Sequence, residues 1–335
     1  MPFETALTKA LGIRVPVVQG GMQWVGYAEM AAAVSNAGGL GILTSLTQPR
    51  PDDLRIEIQK TRRMTQKPFG VNLTVLPTIS PPPYGEYAQV IIDEGIKIVE
   101  TAGLVKDYVA KFKAAGCIVL HKCTTIRHSL SAIKMGVDFL SIDGFECAGH
   151  VGEHDVPNFV LLNRAREQLR KEDGSLVPYI ASGGMANGNS LAAALSLGAC
   201  GINMGTRFMA TVEAPIHHNI KQSIVDATED DTDLLMRRWT NTARFYRNSV
   251  TKAAAKVERE STSGKFEEIA DYVSGKRGRQ VFLNGDPDYG VWTAGICMGL
   301  IHDIPTCEEL LKRIETEARD AVMQQAAMFK EDSKL

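Results

Sequence analysis

No run of about 20 uninterrupted apolar residues occurs in the 335-residue sequence, so no segment reads as a membrane-spanning helix. Its six cysteines, at 117, 123, 147, 200, 297 and 307, include no CxxC pair, which removes the common zinc-site and disulfide-framework spacings. No sign of charge dominates: 37 basic against 39 acidic residues leave a net charge of −2, and nothing argues for nucleic acid or an anionic membrane as partner. The opening MPFETALTKA lacks a basic start followed by an apolar run, so no secretory signal is read there. With unpaired thiols and 12 methionines, these absences lead to the expectation of a cytoplasmic protein. A G-x-G-x-x-G fingerprint after an early strand is missing as well, which weighs against an open dinucleotide-binding sheet.

What is present is one repeated rhythm: a short β-branched run, a small-residue loop, then ten or more residues at helical spacing. VPVVQGG, LGILT, PFGVNLTVL, KIVETAG, CIVLHKC, FLSIDGF, VPYIASGG and GINMGTRF give eight such strands within about 210 residues. Glycines 95, 116, 136 and 198 fall where helices should be capped. Apolar strands alternating with helices mean a parallel sheet buried on both faces, and eight units match a closed (β/α)8 TIM barrel. After Ala210 the rhythm stops. Residues 211–294 read as a polar helical domain with no strands, and residues 295–335 as a helix pair repacking on the barrel made by residues 1–210.

Sites in such barrels form at the carboxyl ends of the strands. That confines the chemistry to Gly21–Gln23, Asn72, Thr74, Glu100, Lys122, the loop IDGFECAGHVGEHD, Ser182–Gly184, and Gly205 with Thr206. ASGGMANG after the seventh strand and NMGTRF after the eighth are small-residue turns able to bring backbone N–H groups to a shared phosphate. A phosphate handle suits an aldolase, a nucleotide dehydrogenase or a flavin enzyme. VQGGMQ favours flavin: the amides of Gln23 and Asn72 and an N–H near Met22 address a polar ring edge, and the glycines let a flat ring lie close. Lys122 would put a cation near the reduced ring. A buried lysine paired with a carboxylate is the plain alternative, and a Schiff-base lysine a third.

Together, PVVQGGMQWVGYAEMAAAVSNAGGLGIL, PFGVNLTVLPT, HKC, IDGFECAGHVGEHD, IASGGMANG and GINMGTRFMAT resemble the nitronate monooxygenase (2-nitropropane dioxygenase) family over nearly the full length, including SGKRGRQVFLNGDPDYGVWTAG. The resemblance implies an FMN-binding barrel with contacts at Met22, Gln23, Thr74, Lys122, Ala148, Gly149, Gly183, Gly184, Gly205 and Thr206. It makes His150 the active-site histidine. Asp143 then braces Lys122 or the loop. Cys147 reads as a small packed residue rather than a nucleophile, and Glu146 and Glu153 as solvated or loop-bracing. His150 and His154 lack the helix that would make them a metal pair, so no metal is expected. His217 and His218 read as surface or interdomain residues.

Several activities follow from this resemblance. The first is oxidation of alkyl nitronates, or of nitroalkanes deprotonated by His150, with O2. The second is NADH:quinone reduction, which the bacterial branch closest in appearance includes; there Pro77, in the Pro-rich loop LPTISPPPYGEY, would contact NADH. The related FMN-dependent enoyl-[acyl-carrier-protein] reductases share the ASGG and GH pattern. Outside the redox class stands an aldolase using Lys122. The substrate is a small molecule in each case, and nothing in the chain opposes assembly as a homodimer.

Overall fold

The computed structural model describes residues 3–76, 81–171 and 173–329. Eight parallel strands form the expected barrel sheet: β1 (Val17–Gln19), β2 (Gly41–Thr44), β3 (Phe69–Val75), β4 (Ile98–Gly103), β5 (Ile118–Cys123), β6 (Phe139–Asp143), β8 (Tyr179–Ser182) and β9 (Ile202–Met204). They run in the order β1-β9-β8-β6-β5-β4-β3-β2. The two ends meet through a parallel bridge between Val18 and Leu40. β1 is only three residues long, and a side chain extends its seam. Gln19, fully buried, accepts the N–H of Ile42 at 3.0 Å through its amide oxygen. The glycines read as helix caps at 95, 116, 136 and 198 all have φ between 63° and 92°.

Alternation along the strands sorts the interior by depth. Ile42, Ile98, Leu120, Phe139 and Ile180 fill the amino-terminal floor, plugged by Leu7 and Leu11 of the helix Ala6–Leu11. Two residues further along the same strands stand Glu100, Lys122, Ser141 and Ser182, so a polar layer sits above an apolar floor. The outward residues, such as Val71, Val99, Val119 and Leu140, pack under the surrounding helices.

Two expectations are corrected. The segment 211–294 contains helices His218–Asp226, Ser249–Glu260, Glu267–Ala270 and Gly275–Asn284, but also two strands, β10 (Thr232–Leu235) and β11 (Ala243–Tyr246). These pair antiparallel, and β11 also pairs with a two-residue strand β7 (Gly149–His150) in the loop after β6. Four-residue strands are too short for their alternation to register, and it is the pairing with one another that fixes them. The helix pair expected after 294 is one helix, Cys307–Ala326, preceded by a 3-10 turn, Ile296–Leu300. The long helix starts at a capping box, with Thr306 accepting the N–H of Glu309 at 3.2 Å and Glu309 accepting that of Thr306 at 2.9 Å. It packs on helices Gly188–Ser196 and Ala28–Asn36, completing the outer ring. Among the described residues no helix is long and apolar enough to cross a membrane.

Candidate active site

Glu100 organises the polar layer. Fully buried, its carboxylate accepts the N–H of Gly21 at 2.8 Å, the Asn72 amide at 2.8 Å and the Asn203 amide at 3.0 Å, with Lys122 Nζ 3.8 Å away. Asn203 also donates to Ser141 Oγ at 3.2 Å, and Ser141 donates to Asp143 at 3.3 Å. Burial works against the Lys122 ammonium, but Glu100 and Asp143 outweigh it and hold its pKa above the ordinary value. Burial pushes the Asp143 carboxyl up, against the pull of Lys122 and a hydrogen bond with Ser182. A lysine held this way is a standing cation, the opposite of the free amine that a Schiff base requires.

The same network accounts for two glycines. A Cβ on Gly20 would come within 2.5 Å of Asn203 Oδ1, and one on Gly21 within 2.4 Å of Asn72 Cγ. The asparagines beside these two glycines thus demand the space, in addition to any flat ring above them.

Above this layer opens a cavity of about 570 Å³. Of the residues singled out in the sequence, Met22, Gln23, Lys122, Ala148, Gly149, His150, Ser182, Gly183, Gly184, Gly205 and Thr206 lie in its wall. Asn72 and Thr74 do not reach it: Asn72 points down to Glu100, and Thr74 donates to Asn72 Oδ1 at 3.1 Å. Pro77 lies outside the described residues.

At the end of the cavity formed by β8 and β9, Gly183 and Gly184 hold φ at 85° and 74°. Asn158 donates to the carbonyls of Ser182 and Gly183 at 2.7 and 2.6 Å. The N–H groups of Gly183, Gly184 and Thr206 make no hydrogen bond with any described residue. Gly205 is different: its φ of −115° suits any residue, and a Cβ there would meet only Met22, at 3.5 Å. Neither a positive φ nor protein packing requires glycine at 205.

His150 stands at the other end, on β7. It is exposed and lines the cavity, and the walls around it lower its pKa against the opposing effects of a hydrogen bond to Asn241 and the Glu153 charge. The loop is held by residues the sequence reading passed over. Arg244, buried on β11, donates to the carbonyls of Phe145 at 2.9 Å and Cys147 at 3.1 Å and to Thr232 Oγ1 at 2.8 Å, with its guanidinium 4.6 Å from the Phe145 ring centre. Glu146 accepts the N–H of Asn158 at 2.9 Å, and Glu153 accepts the N–H of Thr242 at 2.9 Å, so both brace the loop. Burial pushes the Cys147 thiol far up, leaving no thiolate for catalysis. Among the described residues no group of three or more acidic, histidine or cysteine side chains is arranged to hold a metal.

The remaining wall comes from 211–294 and beyond. Met236, Phe245, Phe266, Phe282, Val291 and Trp292 face the cavity, with Asn241 and Thr293 as polar side chains among them. Trp292 stacks on Tyr246 at 4.3 Å. Asn203 could have been found from the sequence, as a lone polar residue inside the apolar run of the last barrel strand; Arg244 and Asn241 carry no comparable signal.

Comparison with known proteins agrees with this geometry. The sequence profile described as nitronate monooxygenase matches residues 4–317. The chain is 30% identical to (3aS,4S,5R,7aS)-5-hydroxy-7a-methyl-1-oxo-octahydro-1H-indene-4-carboxyl-CoA dehydrogenase of Mycobacterium tuberculosis, over 95% of this chain and 97% of that one. It is 28% identical to the nitronate monooxygenase of Paraburkholderia phytofirmans, over 96% and 97%. Among solved structures, FabK from Thermotoga maritima superimposes with a TM-score of 0.88 at 32% identity, covering 98% of this chain and all of that one. Members of the profile's family are FMN flavoproteins. Because the match runs through the barrel and the segment after it alike, this chain belongs to the nitronate monooxygenase family of oxidoreductases.

Proposed function

We propose that the cavity holds FMN, its phosphate at the Gly183–Gly184 and Gly205–Thr206 turns and its ring between Met22 and the His150 strand, and that the enzyme transfers electrons from NADH to a flat, neutral acceptor of the quinone type. The residues suit the cofactor: free N–H groups and an unforced glycine at one end fit a phosphate, and the Lys122 cation fits the electron-rich edge of a ring. FMN, when bound, supplies the capacity to accept and return two electrons.

The observation that carries the choice of acceptor is the charge layout. Lys122, Asp143, Glu146 and His150 all enter the cavity from barrel strands and their loops, whereas the facing wall of Met236, Phe245, Phe266, Phe282, Val291 and Trp292 is apolar. Such a wall excludes water and receives a planar apolar molecule, and it provides no cation for an anionic one. The His150 ring, beside Asn241, has a lowered pKa that keeps it neutral near pH 7 and able to take or return a proton at the acceptor oxygen.

Nitronate oxidation is the second reading, and the same histidine favours it: a neutral imidazole can remove the α-proton of a nitroalkane. Anaerobic mixing separates the two. Loss of the oxidised-flavin absorption with NADH alone, followed by recovery with a quinone, supports the reductase. Loss with an alkyl nitronate alone and none with NADH overturns it. In the nitronate case, His150→Asn should impair nitroalkane turnover more than nitronate turnover.

A further inference from the structure

A strained tryptophan in the cavity wall and an arginine stacked on it are left unused by the chemistry above, as is a lysine on the arginine's helix. Trp24 lines the cavity and holds φ at 66°, a left-handed conformation that bulky residues rarely adopt. Its N–H is pinned by Thr47 Oγ1 at 3.0 Å. The Arg279 guanidinium lies over the indole, 4.8 Å from the ring centre. Arg279 is exposed and projects from helix Gly275–Asn284, whose Gly275, Gly278 and Phe282 line the same cavity.

Neither Arg279 nor Lys276, one turn earlier, has a carboxylate within 4.0 Å among the described residues. The acids near this face are already engaged: Glu29 pairs with Lys60 at 2.5 Å, and Glu57 accepts the N–H of Ala28 at 2.7 Å. Arg277, between the two cations, is instead tied to the carbonyl of Tyr289 at 2.8 Å. The Arg279 charge is therefore met only by the indole it covers, and no carboxylate among the described residues meets that of Lys276. Guanidinium and ammonium groups pair with phosphates, and an indole face receives a planar base. A nucleotide with a pyrophosphate supplies both.

We propose that Trp24, Arg279 and Lys276 form a binding site for the ADP portion of a soluble co-substrate, whose reactive end then reaches the cavity toward His150. This rests on the flavin reading of the cavity. Two co-substrate classes share the chemistry, pyridine dinucleotides and CoA thioesters.

ADP itself is the probe. Calorimetric titration into FMN-loaded protein should show salt-sensitive binding, weakened roughly tenfold by Arg279→Gln, the usual scale of one charge-assisted contact. Lys256→Gln, on the exposed side of helix Ser249–Glu260, should bind ADP as the parent does. In kinetics, Arg279→Gln should raise the KM for NADH about tenfold more than that for reduced nicotinamide mononucleotide, which lacks the ADP portion. ADP competing with NADH assigns the site to a dinucleotide, and ADP competing with an acyl-CoA thioester assigns it to CoA. ADP that fails to bind, that binds Arg279→Gln equally, or that competes with neither overturns the proposal. Protein that refuses FMN fails the cofactor reading, whereas a yellow protein indifferent to ADP fails this one alone.

Discussion

Replacing Glu100 by Gln tests the network under the cavity. The carboxylate, itself fully buried, accepts three donors at 2.8 to 3.0 Å and balances the partly exposed Lys122 at 3.8 Å. A glutamine keeps one acceptor oxygen and turns an amide toward groups that are themselves donors, so at least one buried N–H loses its partner. A hydrogen bond to a charged group contributes about 1.5–3 kcal/mol. Lys122 also loses a charge that, at an effective dielectric near 20, stabilises it by up to roughly 4 kcal/mol. Part of both terms is returned, because the neutral side chain no longer has to be desolvated as an ion. The net expectation is about 3–5 kcal/mol of lost stability, the scale seen when one partner of a buried pair is removed. Urea unfolding at fixed, saturating FMN measures it, since cofactor binding otherwise adds its own stabilisation. The double variant Glu100→Gln/Lys122→Met should lose less than the two single variants summed, by about 2 kcal/mol. A loss below about 1 kcal/mol for Glu100→Gln, or strict additivity in the double variant, would refute the reasoning.

Other consequences are as direct. His121 is buried, bonded to Thr101 Oγ1 at 2.9 Å, and burial lowers its pKa from 6.5 to about 4. The unfolded chain then binds the extra proton first, so stability is complete above pH 6.5 and falls toward pH 4 by roughly 3 kcal/mol; His121→Asn should flatten that part of the stability profile. Gly205→Ala should weaken FMN binding with little change in melting temperature. Gly183→Ala, forced to φ 85° and within 2.9 Å of Cys147 N, should lower both. Cys147→Ala should retain turnover within a few-fold, and the native thiol should resist alkylation at pH 8; fast labelling would show a thiolate that burial ought to suppress.

How much of this was legible in the sequence follows from the range of the interactions. Barrel strands and cap glycines are local: an apolar run ending in a small-residue turn states its own identity. So do the turns at Gly183–Gly184 and Gly205–Thr206. A strand's alternation gives the direction of Asn72, inward, without its partner: it spends its amide on Glu100, the residue paired with it on the next strand. The strands β10 and β11 went unseen because four residues carry no period, and Arg244 because its partners, Phe145 and Cys147, lie about 100 positions away. Long-range partners of this kind leave no pattern in a single chain.

The division of the cavity into a charged barrel side and an apolar opposite side has a consequence for specificity. Every hydrogen bond of the Glu100 network is made between barrel strands or the turn after β1, so exchanging Phe245, Phe266, Phe282 or Val291 breaks none of them. Substitutions on that wall change the volume and shape of the cavity and leave Lys122 and the turns at Gly183–Gly184 and Gly205–Thr206 in place. Arg244 is the exception, since it reaches from this side to the backbone of the loop that carries His150.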